Sequence, residues 1–181
     1  MVSQQTCIAL LRGINVGGRH SLPMKDLKLA LERAGCGDVR TYIQSGNAVF
    51  RCKASLSAQL EKRLAEAIAK THGFEPHVLV LTCAELARAA ADNPFPEAGA
   101  DPRSLHLFFL AAPPARADLK AIDALRTKLE RVALKGRVFY LHAPEGFGTS
   151  KLAARAERLL GVEATARNWR TVMALLEMAR G

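Results

Sequence analysis

Apolar and polar positions along the chain change their period at regular intervals, and those changes mark out a mixed α+β protein. Cys7-Ile8-Ala9-Leu10-Leu11 is a short apolar run, which reads as a buried strand over about Thr6–Arg12. Met24, Leu27, Leu31 and Ala34 recur at three- and four-residue steps, the stripe of an amphipathic helix ended by Gly35 and Gly37. Val39, Thr41 and Ile43 alternate with Arg40, Tyr42 and Gln44, a strand period. Ser45-Gly46-Asn47 reads as a tight turn, and Ala48–Cys52 as the returning arm of a hairpin. Leu56, Leu60, Leu64 and Ile68 recur every fourth residue before Gly73, the clearest helix of the chain. His77–Leu81 is a fourth apolar strand, so the order is β-α-β-β-α-β, the ferredoxin-like unit. Thr82-Cys83-Ala84-Glu85 has the capping-box spacing that opens a further helix, to about Ala91.

The same succession begins again after a loop with three prolines, Asp92–Arg103. Ser104–Leu110 is a strand, and Leu119, Ile122, Leu125 and Leu129 make a helical face. Arg131–Leu134 and Arg137–Leu141 flank Lys135-Gly136 as a second hairpin. Leu152, Ala156, Leu159 and Leu160 form a helix ended by Gly161, Val162–Arg167 a last strand, and Val172, Leu175, Leu176 and Ala179 a final helix. The pattern predicts two ferredoxin-like (βαββαβ) units in tandem, each followed by an extra helix. Residues 1–91 and 104–181 are the expected domains, with 92–103 as the linker. Strands one and three of each unit are expected side by side and parallel. That would place Arg12–Ser21 beside Arg51-Cys52-Lys53, and Gly146–Lys151 beside Ala112–Arg116.

Composition narrows the function classes. No run approaches the ~18–20 apolar residues of a membrane span. The polar stretch before Cys7 is not expected to be a signal peptide. Cys7, Cys36, Cys52 and Cys83 are scattered singly, which suits reduced thiols in a cytoplasm better than a disulfide framework or a zinc site. All four read as small packing residues, with Cys52, after a basic strand end, the strongest candidate among them for a reactive thiol. The five histidines show no metal-ligand spacing, His106 and His142 read as satisfied strand residues, and neither metal nor cofactor is expected.

The net charge is +9, and it is uneven: residues 1–60 hold 8 Lys/Arg against 3 Asp/Glu, residues 61–125 hold 7 against 9, and residues 126–181 hold 11 against 5. A basic face for phosphate or nucleic acid results if the two ends meet.

Three stretches carry candidate chemistry. Arg12-Gly13-Ile14-Asn15-Val16-Gly17-Gly18-Arg19 lies between a strand and a helix, where backbone N–H groups can converge on an anion. It has neither a Walker lysine nor G-x-G-x-x-G spacing, and the plainer account is glycine needed for positive φ. Gly146-Phe147-Gly148-Thr149-Ser150-Lys151 is a second loop at a helix start, with Ser150 or Thr149 equally suited to be an N-cap. Arg167-Asn168-Trp169-Arg170 opens the last helix; Asn168 suits a cap, and the single tryptophan is more often a core anchor than a stacking platform. Tyr42, Gln44 and Phe50 lack the aromatic run of an RNA-binding sheet.

Five segments together resemble a bacterial family known only as domain of unknown function 1697. They are Leu11–Gly18, Thr41–Asn47, Asn93-Pro94-Phe95, Ser150-Lys151-Leu152 and Thr165–Thr171. The resemblance implies two ferredoxin-like units and no assigned activity. The chain departs from the family pattern at Arg170, where an asparagine is usual, and at Ala153-Ala154, where Thr-Asn is common. The expected function is a binding module for a phosphate-bearing ligand, nucleotide or nucleic acid, on a basic face. Its expected contacts are Arg12, Gly13, Asn15, Gly17, Gly18, Arg19, Ser150, Lys151, Arg167, Asn168 and Arg170. An enzyme with its site between the two units, and a protein-interaction or self-assembly module, are the alternatives.

Overall fold

The computed structural model describes residues 4–181; residues 1–3, part of the polar N-terminal stretch read against a signal peptide, lie outside it. The first unit runs β1 (Gln4–Arg12), α1 (Met24–Arg33), β2 (Gly37–Tyr42), β3 (Asn47–Lys53), α2 (Ala54–His72), β4 (His77–Thr82), then α3 (Cys83–Ala91). The second runs β5 (Leu105–Leu110), α4 (Leu119–Leu125), β6 (Arg131–Lys135), β7 (Val138–His142), α5 (Lys151–Leu160), β8 (Ala164–Asn168), then α6 (Trp169–Arg180). The sheets have the orders β2-β3-β1-β4 and β6-β7-β5-β8, so two equivalent ferredoxin-like units stand in tandem. The described residues up to Ala87, with Leu175–Gly181, form one compact unit, and Arg88–Ala174 the other.

Each sheet lays one face on its helix pair. In the first unit Cys7, Ala9, Leu11, Ala48 and Phe50 meet Leu27, Leu31, Leu60, Leu64 and Ile68 in one buried cluster. Burying a side chain of this size contributes ~1.5–3 kcal/mol. In the second unit Phe108, Leu110, Phe139 and Leu141 meet Ile122, Leu152, Ala156 and Leu160. The opposite face of the second sheet holds Tyr140, fully buried, whose hydroxyl donates to the Ala89 carbonyl at 2.8 Å. Burial, then the charge of Asp92, pushes its phenol up to about 12.

One expectation is overturned. β1 pairs β3 antiparallel, with Gln4 opposite Lys53 and Leu10 opposite Asn47. β5 pairs β7 the same way, with Leu105 opposite His142. Parallel central strands would require a crossover between direct sheet neighbours. The split βαβ connection instead leaves each central strand antiparallel to the one beside it. Arg51–Lys53 therefore lies at the far end of the sheet from Arg12, and Gly146–Lys151 at the far end from Ala112–Arg116. The neighbour of the Arg12 loop is the β2–β3 turn.

Smaller differences have local causes. α4 stops at Leu125, because Arg126 turns to extended backbone, so Leu129 leaves the expected helical face and is 57% exposed. β2 ends at Tyr42, so Ile43 and Gln44 belong to the turn. Pro96–Ala100 and Phe147–Thr149, both read as loop, each hold a 3-10 turn. Among the described residues no helix is long and apolar enough to cross a membrane.

Candidate functional site

β1 carries its apolar run straight to the first candidate loop. Leu11 is buried and Arg12 half-buried at the strand end, opposite His77 of β4. The chain then makes a miniature hairpin. The Asn15 N–H donates to the His20 carbonyl at 3.1 Å, and the Arg19 N–H to the Val16 carbonyl at 3.1 Å. Gly17 and Gly18, with φ of 58° and 73°, form its two-residue tip, the type I′ geometry that requires positive φ at both positions. A Cβ at either would meet nothing within 4 Å, so glycine serves the backbone here and leaves the tip open. The helix starts at Met24, behind Pro23. The glycine tip is thus not the N-terminus of a helix.

Asn15 holds this hairpin onto the β2–β3 turn. Its amide donates to the Leu22 carbonyl at 2.9 Å and to the Gln44 carbonyl at 2.8 Å, and its oxygen accepts from the Leu22 N–H at 2.8 Å. The Leu11 N–H donates to the Gly46 carbonyl at 2.8 Å. A Cβ on Gly46 would sit 2.7 Å from Ile14 Cδ1 and 2.8 Å from Leu11 Cβ, at a φ of 76°, so only glycine lets the two loops approach this closely. The expected contacts Arg12, Gly13, Asn15, Gly17, Gly18 and Arg19 therefore lie together, but the Asn15 side chain is engaged within the protein.

Backbone strain concentrates here. Among the described residues four that are not glycine have positive φ, and three of them, Asn15 at 53°, His20 at 52° and Ile43 at 46°, belong to this loop pair. Asparagine tolerates that conformation; β-branched isoleucine does so only under constraint. The His20 ring is fixed by Nδ1, 2.9 Å from the Gly13 carbonyl, and by stacking on Phe74 with centroids 4.7 Å apart. A carbonyl can only accept, so Nδ1 is the donor in this contact. Val16, 69% exposed, is bridged to the exposed Arg19, and Ile43 in the adjoining turn is 53% exposed. The surface is open, mixing apolar side chains with cationic and hydrogen-bonding groups.

The remaining expected contacts share one end of the second sheet, because β7 ends at His142 opposite Leu105 and β8 ends at Asn168 opposite His106. Ser150 caps α5, accepting from the Ala153 N–H at 3.0 Å, and its hydroxyl donates to Glu130. Glu130 is 3% exposed and accepts from the Thr127 N–H at 2.8 Å, while its own N–H donates to Thr127 Oγ1 at 3.2 Å. The anion at the start of α5 is thus the protein's own. Asn168 caps α6, accepting from the Thr171 N–H at 2.9 Å. Arg167 is half-buried and donates to the Ala166 carbonyl at 2.9 Å, and desolvation pulls it down to about 10. Lys151 and Arg170 are exposed. The Arg170 N–H donates to the Pro102 carbonyl at 3.4 Å, and Ala154 faces solvent.

Several groups escaped the sequence reading. Glu130 was legible in principle, since Thr127 and Glu130 have capping-box spacing. His106, expected to be satisfied, has no hydrogen-bond partner at Nδ1 among the described residues. It stacks on Phe147 with centroids 3.6 Å apart, and burial depresses it to about 4. Nothing in an alternating strand pattern signals that pairing. Phe95 lies under the Arg131 guanidinium at 4.7 Å, and Arg131 also pairs with Glu97. Cys52, the strongest candidate for a reactive thiol among cysteines read as packing residues, is 1% exposed and 3.5 Å from the Sγ of Cys7. Burial first, then the Cys52 hydrogen bond, pushes the Cys7 thiol up to about 12. These thiols are core residues. Among the described residues no group of three His, Cys, Asp or Glu side chains is placed to hold a metal ion.

A family model described as a protein of unknown function, DUF1697, matches residues 4–140. The structure of the conserved bacterial protein SP0830 from Streptococcus pneumoniae is similar, with a TM-score of 0.69 and 23% identity, over 98% of this chain and 99% of that one. At that identity the likeness is one of fold. No curated protein matches the chain.

Proposed function

The chain belongs to the DUF1697 family of proteins of unknown function, and from that premise we propose that it is a binding module for a phosphate-bearing ligand, foremost a single-stranded nucleic acid. The carrying observation is the gathering of Asn15, His20 and Ile43, all at positive φ, in one loop pair. Positive φ costs a residue without asparagine's tolerance ~1–3 kcal/mol, and such strain concentrates where shape is functional. The exposed mixture of Arg19, His20, Val16 and Ile43 suits a ligand with both anionic and apolar faces, as a strand of nucleotides has. Its openness favours a polymer over an enclosed mononucleotide.

In this reading Arg19 contacts phosphate and Val16 and Ile43 meet bases. Arg12, Gly13, Asn15, Gly17 and Gly18 set the shape. The second unit has its own exposed cations for phosphate, Lys151 and Arg170, with Ser150, Arg167 and Asn168 holding the backbone that presents them. The pI of about 9.8 supports an anionic partner, and four free cysteines support a cytoplasmic protein.

The test is fluorescence anisotropy of labelled single strands and of mononucleotides at low salt. Tight, salt-sensitive binding of single strands is expected; absence of binding to both overturns the reading. A protein-interaction role draws on the same exposed Val16 and Ile43, and salt-insensitive binding of a partner protein with no response to oligonucleotides would establish it instead.

A further inference from the structure

α1 and α2 run side by side over the first sheet, and their facing positions make a groove. On α1 these are Asp26, Leu29, Ala30 and Arg33, and on α2 Arg63, Ala67, Thr71 and His72. Small residues at Ala30, Ala34 and Ala67 keep the groove open, and its volume is about 480 Å³, within the range of small-ligand sites.

Its two ends differ in chemistry. At one, His72 Nε2 lies 3.2 Å from Asp26 Oδ2, and Thr71 Oγ1 2.8 Å from His72 Nδ1. The start of α1 therefore meets the end of α2, and the helices are antiparallel. Arg33 lies seven residues along α1 from that contact and Arg63 nine residues back along α2, which is ~10 Å and ~13 Å of helix. Both guanidinium groups thus fall at the other end. Arg63 also acts electrostatically on the thiol of Cys36, just beyond α1. The neighbouring carboxylates are engaged elsewhere, Glu32 with Lys28 and Glu66 with Lys62. Among the described residues neither the Arg33 nor the Arg63 guanidinium has an ion pair or a hydrogen bond. Arg33 complements the C-terminal end of the α1 dipole; Arg63, in mid-helix, has no such role.

We propose that this groove binds a small amphipathic anion, a carboxylate or phosphate monoester on an apolar chain. Arg33 and Arg63 hold the anionic head, and Leu29, Ala30 and Ala67 take the chain. The opposite end, where Asp26 is engaged with His72, offers no free cation among the described residues, which sets the orientation. Arginine suits this task because its planar fork matches either oxyanion.

The test is a ¹H–¹⁵N NMR titration of the whole chain with octanoate and with octyl phosphate, and with octanol and butanoate as controls. Saturable shifts confined to residues 26–34 and 63–72 are expected for at least one of the two anions. Affinity should fall at least about tenfold in the Arg33→Gln/Arg63→Gln variant, with its melting temperature unchanged. Either arginine changed singly should give an intermediate loss. No saturable shift with either anion, equal binding of octanol or butanoate, or full affinity in the double variant would overturn the proposal.

Discussion

The side-chain amide of Asn15 donates to the main-chain carbonyl of Gln44 at 2.8 Å, across 29 residues of sequence. This bond, with the two to Leu22, makes one body of the glycine hairpin and the β2–β3 turn. Asn15→Ala removes all three bonds at a position of positive φ. It should destabilise the first unit by ~2–4 kcal/mol, measured as a lowered urea midpoint. A loss below ~0.5 kcal/mol would mean that the loops hold together without the amide.

Ile43 pays in strain for its place beside that bond. An asparagine tolerates the same φ of 46°, and little packing is given up because Ile43 is 53% exposed. Ile43→Asn is expected to stabilise the protein by ~0.5–1 kcal/mol and to weaken oligonucleotide binding. Stability should be read by thermal melting and affinity by anisotropy. A destabilised variant would show that the isoleucine is held by packing rather than kept for its surface.

The buried Glu130 carboxylate joins Ser150 to Thr127. Glu130→Ala leaves the Thr127 N–H and the Ser150 hydroxyl without their acceptor, at a cost of ~1–3 kcal/mol. Ser150→Ala removes the cap of α5 as well and should cost ~0.5–2 kcal/mol. Combining the two should give less than the sum, since they share one bond. Denaturant titrations of the three variants measure this, and strict additivity would contradict the shared bond.

His106 is depressed from 6.5 to about 4 by burial. The unfolded chain therefore binds the extra proton first as pH falls. Stability is complete above about pH 6.5 and is lost on descent towards pH 4, at up to ~1.4 kcal/mol per pH unit. His106→Phe, which keeps an aromatic ring against Phe147, should flatten the stability profile between pH 6.5 and 5. His142 is also held low, by burial and then by Arg131, and leaves a residual slope of the same sign. An unchanged slope would assign the acid sensitivity elsewhere.

The order of elements and the duplicated unit were legible because short apolar or alternating runs and period-3.6 runs succeed one another, from Cys7–Leu11 to Val172–Ala179. Strand direction follows from that order too, since a split βαβ connection makes direct sheet neighbours antiparallel, and the loop neighbours expected from parallel strands fall with it. The glycines of the Arg12–Arg19 stretch pointed to a special backbone. The β-branched Ile43 did not, since its side chain fits a strand pattern. Ser150 and Asn168 carry out the capping roles that their positions before helices suggested.

The most direct test of the binding account is the salt dependence of affinity for a labelled single strand, measured for the wild type and for Arg19→Ala. Arg19 is exposed and lies at the open hairpin tip, so its removal should leave the fold intact. A steep fall of log K with log salt is expected in the wild type, and a slope shallower by ~0.7 in the variant for each phosphate that Arg19 neutralises. Equal slopes and equal affinities in the two proteins would contradict it.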